Sequence, residues 1–135
     1  MEKAFEFLKS HNEVAFATVD GGKPKIRVFQ IMRQEGRTLF FATSPRKEVY
    51  NQLRTNPDIE ILCMAGNIFV RAAGKATFDV DDQTAHEIYA ANPVLPRLYK
   101  KYSDLVYFRL PVAVLDYYDL TPTPPLQEHH EYGQD

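Results

Sequence analysis

The sequence contains no tryptophan, one cysteine and six glycines, and it has no long apolar run. A single cysteine cannot form an intramolecular disulfide, which excludes a disulfide-stapled scaffold and is typical of a reducing cytoplasm. A transmembrane helix needs about 20 consecutive apolar residues, and the start, Met1-Glu2-Lys3, lacks the apolar core of a signal peptide. We therefore expect a cytoplasmic protein with no membrane partner.

The chain also lacks an excess of charge of either sign. It has 16 Lys and Arg residues against 18 Asp and Glu residues, so its formal net charge is −2 at pH 7. General nucleic-acid binding requires a strongly basic surface, and we expect no nucleic-acid partner. A length of 135 residues is sufficient for one domain with one hydrophobic core.

Short strands alternate with short helices along the chain. Hydrophobic periodicity and Gly-containing turns predict six strands, at residues 14–20, 25–33, 37–43, 58–65, 68–79 and 106–119. Cap and stop signals predict helices at residues 2–11, 45–55, 81–92 and within 95–102. Because hairpins join most strands, we expect a mainly β domain over residues 1–120: a six-stranded antiparallel barrel with a few peripheral helices. Pro111 is expected at a bulge or an edge.

Residues 121–135 carry three prolines and end in polar residues, which predicts an extended C-terminal tail or a mobile arm. The tail contains Glu128-His129-His130-Glu131, but side chains on a flexible segment make a poor metal site, and we expect no metal.

Several predicted strands are apolar on both faces. Residues 14–19 (VAFATV) have no clearly polar side, and in residues 59–64 the residues Ile59, Ile61 and Cys63 alternate with Leu62 and Met64. One face fills the barrel, and the other must be covered by helices, by a ligand or by a second copy of the chain. We expect a homodimer.

The junction between the third strand and the following helix carries an unusual cluster of cations. Ser44 is a good N-cap and Pro45 suits the first helical position, which places Arg46 and Lys47 in the first turn. The helix macrodipole disfavours cations there unless an anion is bound among them. With the hydroxyls of Thr43 and Ser44, this arrangement predicts a phosphate site; the alternative is that both cations extend into solvent.

Two arginines lie on predicted strand faces that also carry apolar residues. Arg27 shares its face with Phe29 and Ile31, and Arg71 shares its face with Phe69 and Ala73. A guanidinium on such a face needs a partner. Either it forms an ion pair with a carboxylate of the chain, or the side chain extends to the edge of the sheet, where water solvates the charge. The alternative is that both, together with Lys47, surround one anionic ligand.

Three segments of the sequence form a series of motifs. The first is FATVDGGKPKIRVF (16–29), and the second is LFFATS (39–44) followed by Lys47, Gln52-Leu53 and Asn56-Pro57. The third is FVRAAGKA (69–76). These segments resemble, in the same order, those of the pyridoxamine 5′-phosphate oxidase-related family of FMN-binding split barrels, and the resemblance extends over roughly residues 12–120.

The resemblance implies a split barrel that binds FMN at the interface of a homodimer. Arg27 and Lys47 would bind the phosphate together with the hydroxyls of Thr43 and Ser44. The partner subunit would contribute residues from its fifth predicted strand and from the turn that precedes this strand. The residues implied to contact the cofactor are Arg27, Val28, Phe29, Gln30, Ile31, Phe41, Ala42, Thr43, Ser44, Lys47 and Gln52, with Asn67, Ile68 and Arg71 from the partner subunit. A small-molecule substrate or an electron donor would react at the flavin, so no side chain is assigned a catalytic role.

The chain departs from the true oxidases of this family at its C-terminal strand. Residues 108–114 (FRLPVAV) lack the Arg- and Trp-containing signature that helps bind pyridoxamine phosphate. We therefore expect an FMN-dependent oxidoreductase or electron-transfer protein that does not oxidise pyridoxamine phosphate. The alternative is a non-catalytic protein that binds or stores flavin or another phosphorylated cofactor.

Overall fold

The computed structural model describes residues 2–133. It contains eight strands: β1 (Glu13–Asp20), β2 (Lys23–Gln30), β3 (Arg33–Glu35), β4 (Thr38–Thr43), β5 (Asp58–Ala65), β6 (Ile68–Lys75), β7 (Val106–Asp119) and β8 (Leu126–Glu131). The helices are α1 (Lys3–Ser10), α2 (Glu48–Thr55), α3 (Asp82–Ala91) and α4 (Val94–Leu98), followed by a 3₁₀ turn at Tyr102–Asp104.

The strands form one antiparallel sheet in the order β2-β1-β5-β6-β7-β4-β3, with β8 paired to β7. The sheet curls until side chains from β2 and β4 meet across the gap, where the rings of Phe29 and Phe41 are 5.9 Å apart. The curled sheet is open between its edge strands, β2 and β3, and is therefore a split barrel, which confirms the predicted mainly β class.

The strand count is eight rather than the expected six. The predicted strand 25–33 is divided, because the chain leaves β2 after Gln30 and crosses to the opposite side of the barrel. The Ile31 amide still donates to the Asn12 carbonyl at 2.7 Å, which continues the β1–β2 register by one pair. The Met32 amide then donates to the Phe40 carbonyl on β4 at 2.8 Å, and Arg33 starts the separate strand β3. The eighth strand lies in the tail: residues 126–131 pair with β7, where the sequence had predicted an extended arm.

The barrel interior is filled by the inward residues of the strands and closed by α1. Phe16, Phe41 and Phe108 are fully buried and contact one another at ring distances of 5.2–6.0 Å. From α1, Phe5 and Leu8 are also fully buried. A second apolar cluster covers the outer face of β4 and consists of Phe40, Ala85, Ile88, Leu95, Leu105 and Tyr107. Asp81 caps α3 as predicted, because its Oδ1 accepts from the Thr84 amide at 2.7 Å.

A bulge in β7 ends the regular pairing with β6. Ala73 pairs with Val114 but Gly74 pairs with Val112, so one residue of β7 is unpaired next to Pro111. A Cβ built on Gly74 would lie 2.5 Å from the Pro111 carbonyl oxygen, so only glycine allows this close approach. The bulge beside Pro111 agrees with the prediction, whereas β6 ends at Lys75 rather than at residue 79.

The outer face of β1, β2 and β5 is apolar and exposed. Ile26 and Val28 are 71% and 69% exposed, and Met64 is 67% exposed. Val28, Ala15 and Leu62 lie opposite one another across the three strands and form one continuous row. None of the helices described within residues 2–133 is long and apolar enough to cross a membrane.

Candidate functional site

Arg27 lies at the centre of a hydrogen-bond network that joins β1, β2 and α2. Its Nη1 donates to Thr18 Oγ1 at 2.8 Å and to the Phe16 carbonyl at 3.2 Å, while Nη2 donates to Gln52 Oε1 at 2.8 Å. The Thr18 hydroxyl in turn donates to Gln52 Oε1 at 2.6 Å. Three side chains from three elements therefore form a closed ring of hydrogen bonds.

The network carries a positive charge that forms no direct ion pair with a carboxylate in the described part of the chain. Within residues 2–133, Arg27 forms no ion pair, and its hydrogen-bond acceptors are all neutral. Burial lowers the pKa of Arg27, and the charge of Glu48 raises it. The side chain remains protonated, because an arginine pKa lies far above neutral pH. Arg27 is thus a half-buried cation that retains the ability to attract an anion.

The predicted start of α2 is wrong by three residues. The helix begins at Glu48 with Lys47 as its N-cap, so Pro45 and Arg46 lie in the preceding turn rather than in the first helical turn. Ser44 does not cap the helix; its Oγ accepts from the Arg46 amide at 3.2 Å and closes that turn. Glu48 then occupies the first turn of α2, where the macrodipole favours an acid. Arg46 and Lys47 remain exposed cations next to this helix start.

Thr43 supplies an observation that independently indicates a ligand. Its Oγ1 is buried and has no hydrogen-bond partner within residues 2–133. Buried hydroxyls are nearly always satisfied, so an unpaired one at the end of β4, four residues before Lys47, requires an explanation. A bound anion or a water molecule would satisfy it.

The other predicted cofactor residues of β2 and β4 divide between the core and the surface. Val28 is exposed on the outer face of the sheet, whereas Phe29 and Gln30 are half-buried and Ile31 is buried. Phe41 is fully buried in the core, so the structure leaves it inaccessible to a ligand. Its neighbour Ala42 packs against the second apolar cluster.

Asn67, Ile68 and Arg71 lie elsewhere in this subunit, because β6 is separated from β2 by β5 and β1. Arg71 forms ion pairs with Asp116 at 3.2 Å and with Glu60 at 3.4 Å. For Arg71 the carboxylate-pair alternative is therefore what the structure shows. Asn67 lies in the β5–β6 turn, where its amide donates to Thr121 Oγ1 at 3.5 Å.

A cleft next to the network could receive a ligand. It has a volume of about 570 Å³ and lies between the β1–β2 hairpin and α2, with Gln52 on its wall. Its other walls include Gly21, Gly22, Glu48 and Asn51. Val19 and Pro57 add apolar surface to its walls.

The residues present fit the phosphate end of FMN. Arg27 has unused N–H donors, Lys47 adds a point charge, and Thr43 and Ser44 add hydroxyls from the end of β4 and the following turn. Thr18 was missed by the sequence analysis. The available signal was its alternation with Val14 and Phe16, which placed a polar side chain on the inner face of β1.

The fold is a split β-barrel in which a half-buried arginine on β2 is hydrogen-bonded to the helix that follows β4. The family model described as Pyridoxamine 5′-phosphate oxidase matches residues 1–113. The chain belongs to this family.

Solved structures with the same fold have low sequence identity to this chain. General Stress Protein 26 of Bacillus anthracis str. Sterne is 16% identical, with a TM-score of 0.80 and 96% of each chain covered. A heme binding protein of Mycobacterium smegmatis is 20% identical, with a TM-score of 0.78, and 96% of this chain and 57% of that chain are covered. A pyridoxamine 5′-phosphate oxidase-related, FMN binding protein of Nostoc punctiforme PCC 73102 is 16% identical, with a TM-score of 0.66 and coverages of 97% and 93%. The comparison with curated proteins gives no match.

Proposed function

We propose that this chain binds FMN as a homodimer and acts as an oxidoreductase or electron-transfer protein. The observation that carries the proposal is the half-buried Arg27 guanidinium, which is held by neutral acceptors and has no carboxylate partner within residues 2–133. A structure tolerates such a cation most readily when an anionic ligand completes its surroundings. Family membership and the similarity to an FMN binding protein point to a flavin phosphate as that anion.

The proposed phosphate site combines three kinds of group. Arg27 would bind phosphate oxygens bidentately, and Lys47 would supply a second, mobile charge. Thr43 Oγ1, which is otherwise unsatisfied, would gain a hydrogen-bond partner. Bound FMN would supply the redox chemistry, while the chain binds the cofactor, orients it and limits the access of water.

The homodimer is proposed from the apolar outer face of β1, β2 and β5. Ile26, Val28, Leu62 and Met64 are between 46% and 71% exposed and lie on one continuous surface. A two-fold axis would place this surface against its own copy, which is the usual arrangement of homodimers. Val28 and Arg27 are adjacent on β2 but face opposite sides, so such an interface would lie next to the proposed cofactor site.

An anaerobic titration tests the redox role directly. The purified protein is loaded with FMN and mixed with NADH or NADPH in a stopped-flow instrument, and the flavin absorbance is followed. We expect bleaching of the flavin bands by a nicotinamide donor and no formation of pyridoxal phosphate from pyridoxamine phosphate. FMN binding without reduction by any donor would favour a flavin-storage protein, and rapid turnover of pyridoxamine phosphate would contradict the proposed substrate range.

A further inference from the structure

We infer that Thr18 and Gln52 are positioning residues, which hold the Arg27 guanidinium so that one of its edges stays free. They thereby set the preference of this site for phosphorylated ligands. This inference rests on the proposed function. Gln52 was expected to contact the cofactor itself, yet its side-chain oxygen accepts from Arg27 and from Thr18. Thr18 is 2% exposed and Gln52 is 6% exposed, so both act from beneath the site.

The donor and acceptor chemistry fixes the direction of each bond in the ring. A guanidinium only donates, so the Gln52 atom facing Arg27 must be the amide oxygen. Thr18 Oγ1 accepts a hydrogen bond from Arg27 Nη1, and its own O–H donates a hydrogen bond to Gln52 Oε1. The three side chains therefore hold one another in a single orientation, because reversing the Gln52 amide would place its NH₂ group against two donors.

The bonds that Arg27 makes leave a particular edge available. Both hydrogens of Nη1 are used, by the Phe16 carbonyl and Thr18 Oγ1, and one hydrogen of Nη2 is used by Gln52. Gln52 Oε1 also bonds to Thr18, the partner of Nη1, so it takes the Nη2 hydrogen on the Nη1 side. Of the five donors of a guanidinium, Nε–H and the second Nη2 hydrogen have no acceptor within residues 2–133. These two hydrogens point from the same edge of the planar group, which is the geometry that binds two oxygens of a phosphate.

The neutrality of the two acceptors preserves the charge of Arg27. Arg71 and Arg109 are each paired with a carboxylate, Asp116 and Asp79 respectively. A carboxylate at position 52 would hold the Arg27 guanidinium in the same place but would cancel its charge and repel a phosphate. An amide and a hydroxyl orient the cation without neutralising it, which is the requirement of an anion-binding site.

The experiment compares the affinities for FMN and riboflavin, which differ only in the phosphate group. Five variants are titrated by flavin fluorescence quenching: Gln52→Glu, Gln52→Leu, Thr18→Val, Thr18→Ser and the control Gln83→Leu. Gln83 carries the same side chain as Gln52 at an exposed position on α3, where it donates to Glu87. A thermal melt of each apo-protein reports whether it is folded.

We expect the FMN-to-riboflavin affinity ratio to fall about tenfold or more in Gln52→Glu, and by a smaller factor in Gln52→Leu and Thr18→Val, with riboflavin affinity unchanged. Thr18→Ser retains the hydroxyl and should retain the ratio, as should Gln83→Leu. A purely structural role would weaken both flavins equally and leave the ratio unchanged.

Two negative results are distinguishable. If the wild-type protein binds riboflavin as tightly as FMN, there is no phosphate site, and both the proposed function and this inference are wrong. If the wild type prefers FMN but Gln52→Glu and Thr18→Val keep the same preference, the positioning role is wrong and the proposed function stands. If the Gln52 variants do not fold, the two Thr18 variants decide the question. Thr18→Val keeps the shape of threonine without its hydroxyl, and Thr18→Ser keeps the hydroxyl.

Discussion

Arg27 on β2 donates to the side-chain oxygen of Gln52 on α2 at 2.8 Å, across 25 residues of sequence. This bond ties the helix that follows β4 to the edge strand of the sheet, close to the gap where the barrel is open. It also determines whether the positive charge of Arg27 is neutralised. An amide acceptor leaves the positive charge intact, so the site retains an electrostatic attraction for anions that an ion pair would have removed.

Loss of either cation at the proposed phosphate site should weaken FMN binding. We expect Arg27→Ala and Lys47→Ala each to cost roughly 1.5–3 kcal/mol of binding free energy, the range of hydrogen bonds to charged groups. Isothermal titration of apo-protein with FMN measures the effect. The control Lys9→Ala removes an equal charge from an exposed position on α1 and should leave the affinity unchanged. An Arg27→Ala variant with wild-type affinity for FMN would contradict the site.

A charge in the apolar outer face should separate the proposed homodimer. Val28→Asp places a carboxylate in the row formed by Val28, Ala15 and Leu62, where it would be desolvated in an interface. We expect a dimer for the wild type and a monomer for the variant, measured by light scattering coupled to size-exclusion chromatography. Leu98→Asp is the matched control, because Leu98 is 63% exposed on α4 and not on this face. A wild-type protein that is monomeric at micromolar concentration would refute the dimer.

Adding one methyl group at Gly74 should destabilise the barrel. The Cβ of Gly74→Ala would lie 2.5 Å from the Pro111 carbonyl oxygen and 2.8 Å from Leu110 Cδ1, so the bulge in β7 must move. We expect a loss of about 1–3 kcal/mol in the free energy of unfolding, the usual cost of overpacking. Urea denaturation measures it. Gly133→Ala, which adds a methyl group with no atom within 4 Å, should be nearly neutral, and equal stabilities of the two variants would contradict the prediction.

Strand β8 should be held more firmly at acid pH than at alkaline pH. His129 on β8 lies between Asp116 on β7 at 2.6 Å and Glu131 at 2.9 Å, and these hydrogen bonds raise the pKa of His129 above its ordinary value. The pKa of Asp116 is lowered: burial acts to raise it, but the hydrogen bonds from His129 and Arg71 outweigh that effect. Arg71, which also pairs with Glu60, is the other charge facing this group.

The sign of the pH dependence follows from the direction of each shift. A raised histidine pKa stabilises the folded state fully below the unfolded-state pKa of about 6.5, and this contribution is lost as pH rises through the folded-state pKa. The contribution of Asp116 is present above its unfolded-state pKa of about 3.9 and is lost only as pH falls through its lowered folded-state pKa. Between about pH 5.5 and 9 only the histidine of this pair changes charge.

We therefore expect the difference in melting temperature between wild type and His129→Gln to be largest near pH 5.5 and to shrink steadily above pH 6.5. Melting curves in buffers of equal ionic strength measure it. His86→Gln is the control, since His86 contacts the Tyr102 ring in an edge-to-face arrangement and has no carboxylate partner within residues 2–133. A difference that grows with pH would show that the neutral imidazole is the stabilising form.

The sequence by itself determined the antiparallel β class and most element positions, because these depend on local periodicity and caps. The alternation in residues 58–65, the turn at Gly66-Asn67 and the Asp81 cap each act over a few residues, and the corresponding elements occur as predicted. The prediction of strands from the sequence failed where segments that are distant along the chain compete for the same backbone hydrogen-bonding groups. The chain leaves β1 after Ile31 because the Met32 amide bonds to the Phe40 carbonyl on β4, and the tail becomes β8 because β7 offers it a free edge.

The roles of the two arginines were decided only by the tertiary structure. Both lie on strands beside apolar residues, and local sequence left a carboxylate partner and an anionic ligand open for each. Strand order places Arg71 opposite Asp116, 45 residues away, whereas it places Arg27 against Thr18 and Gln52. Whether a guanidinium is neutralised depends on which side chains the other elements bring next to it. These neighbours come together only when the chain folds, so local sequence does not specify them.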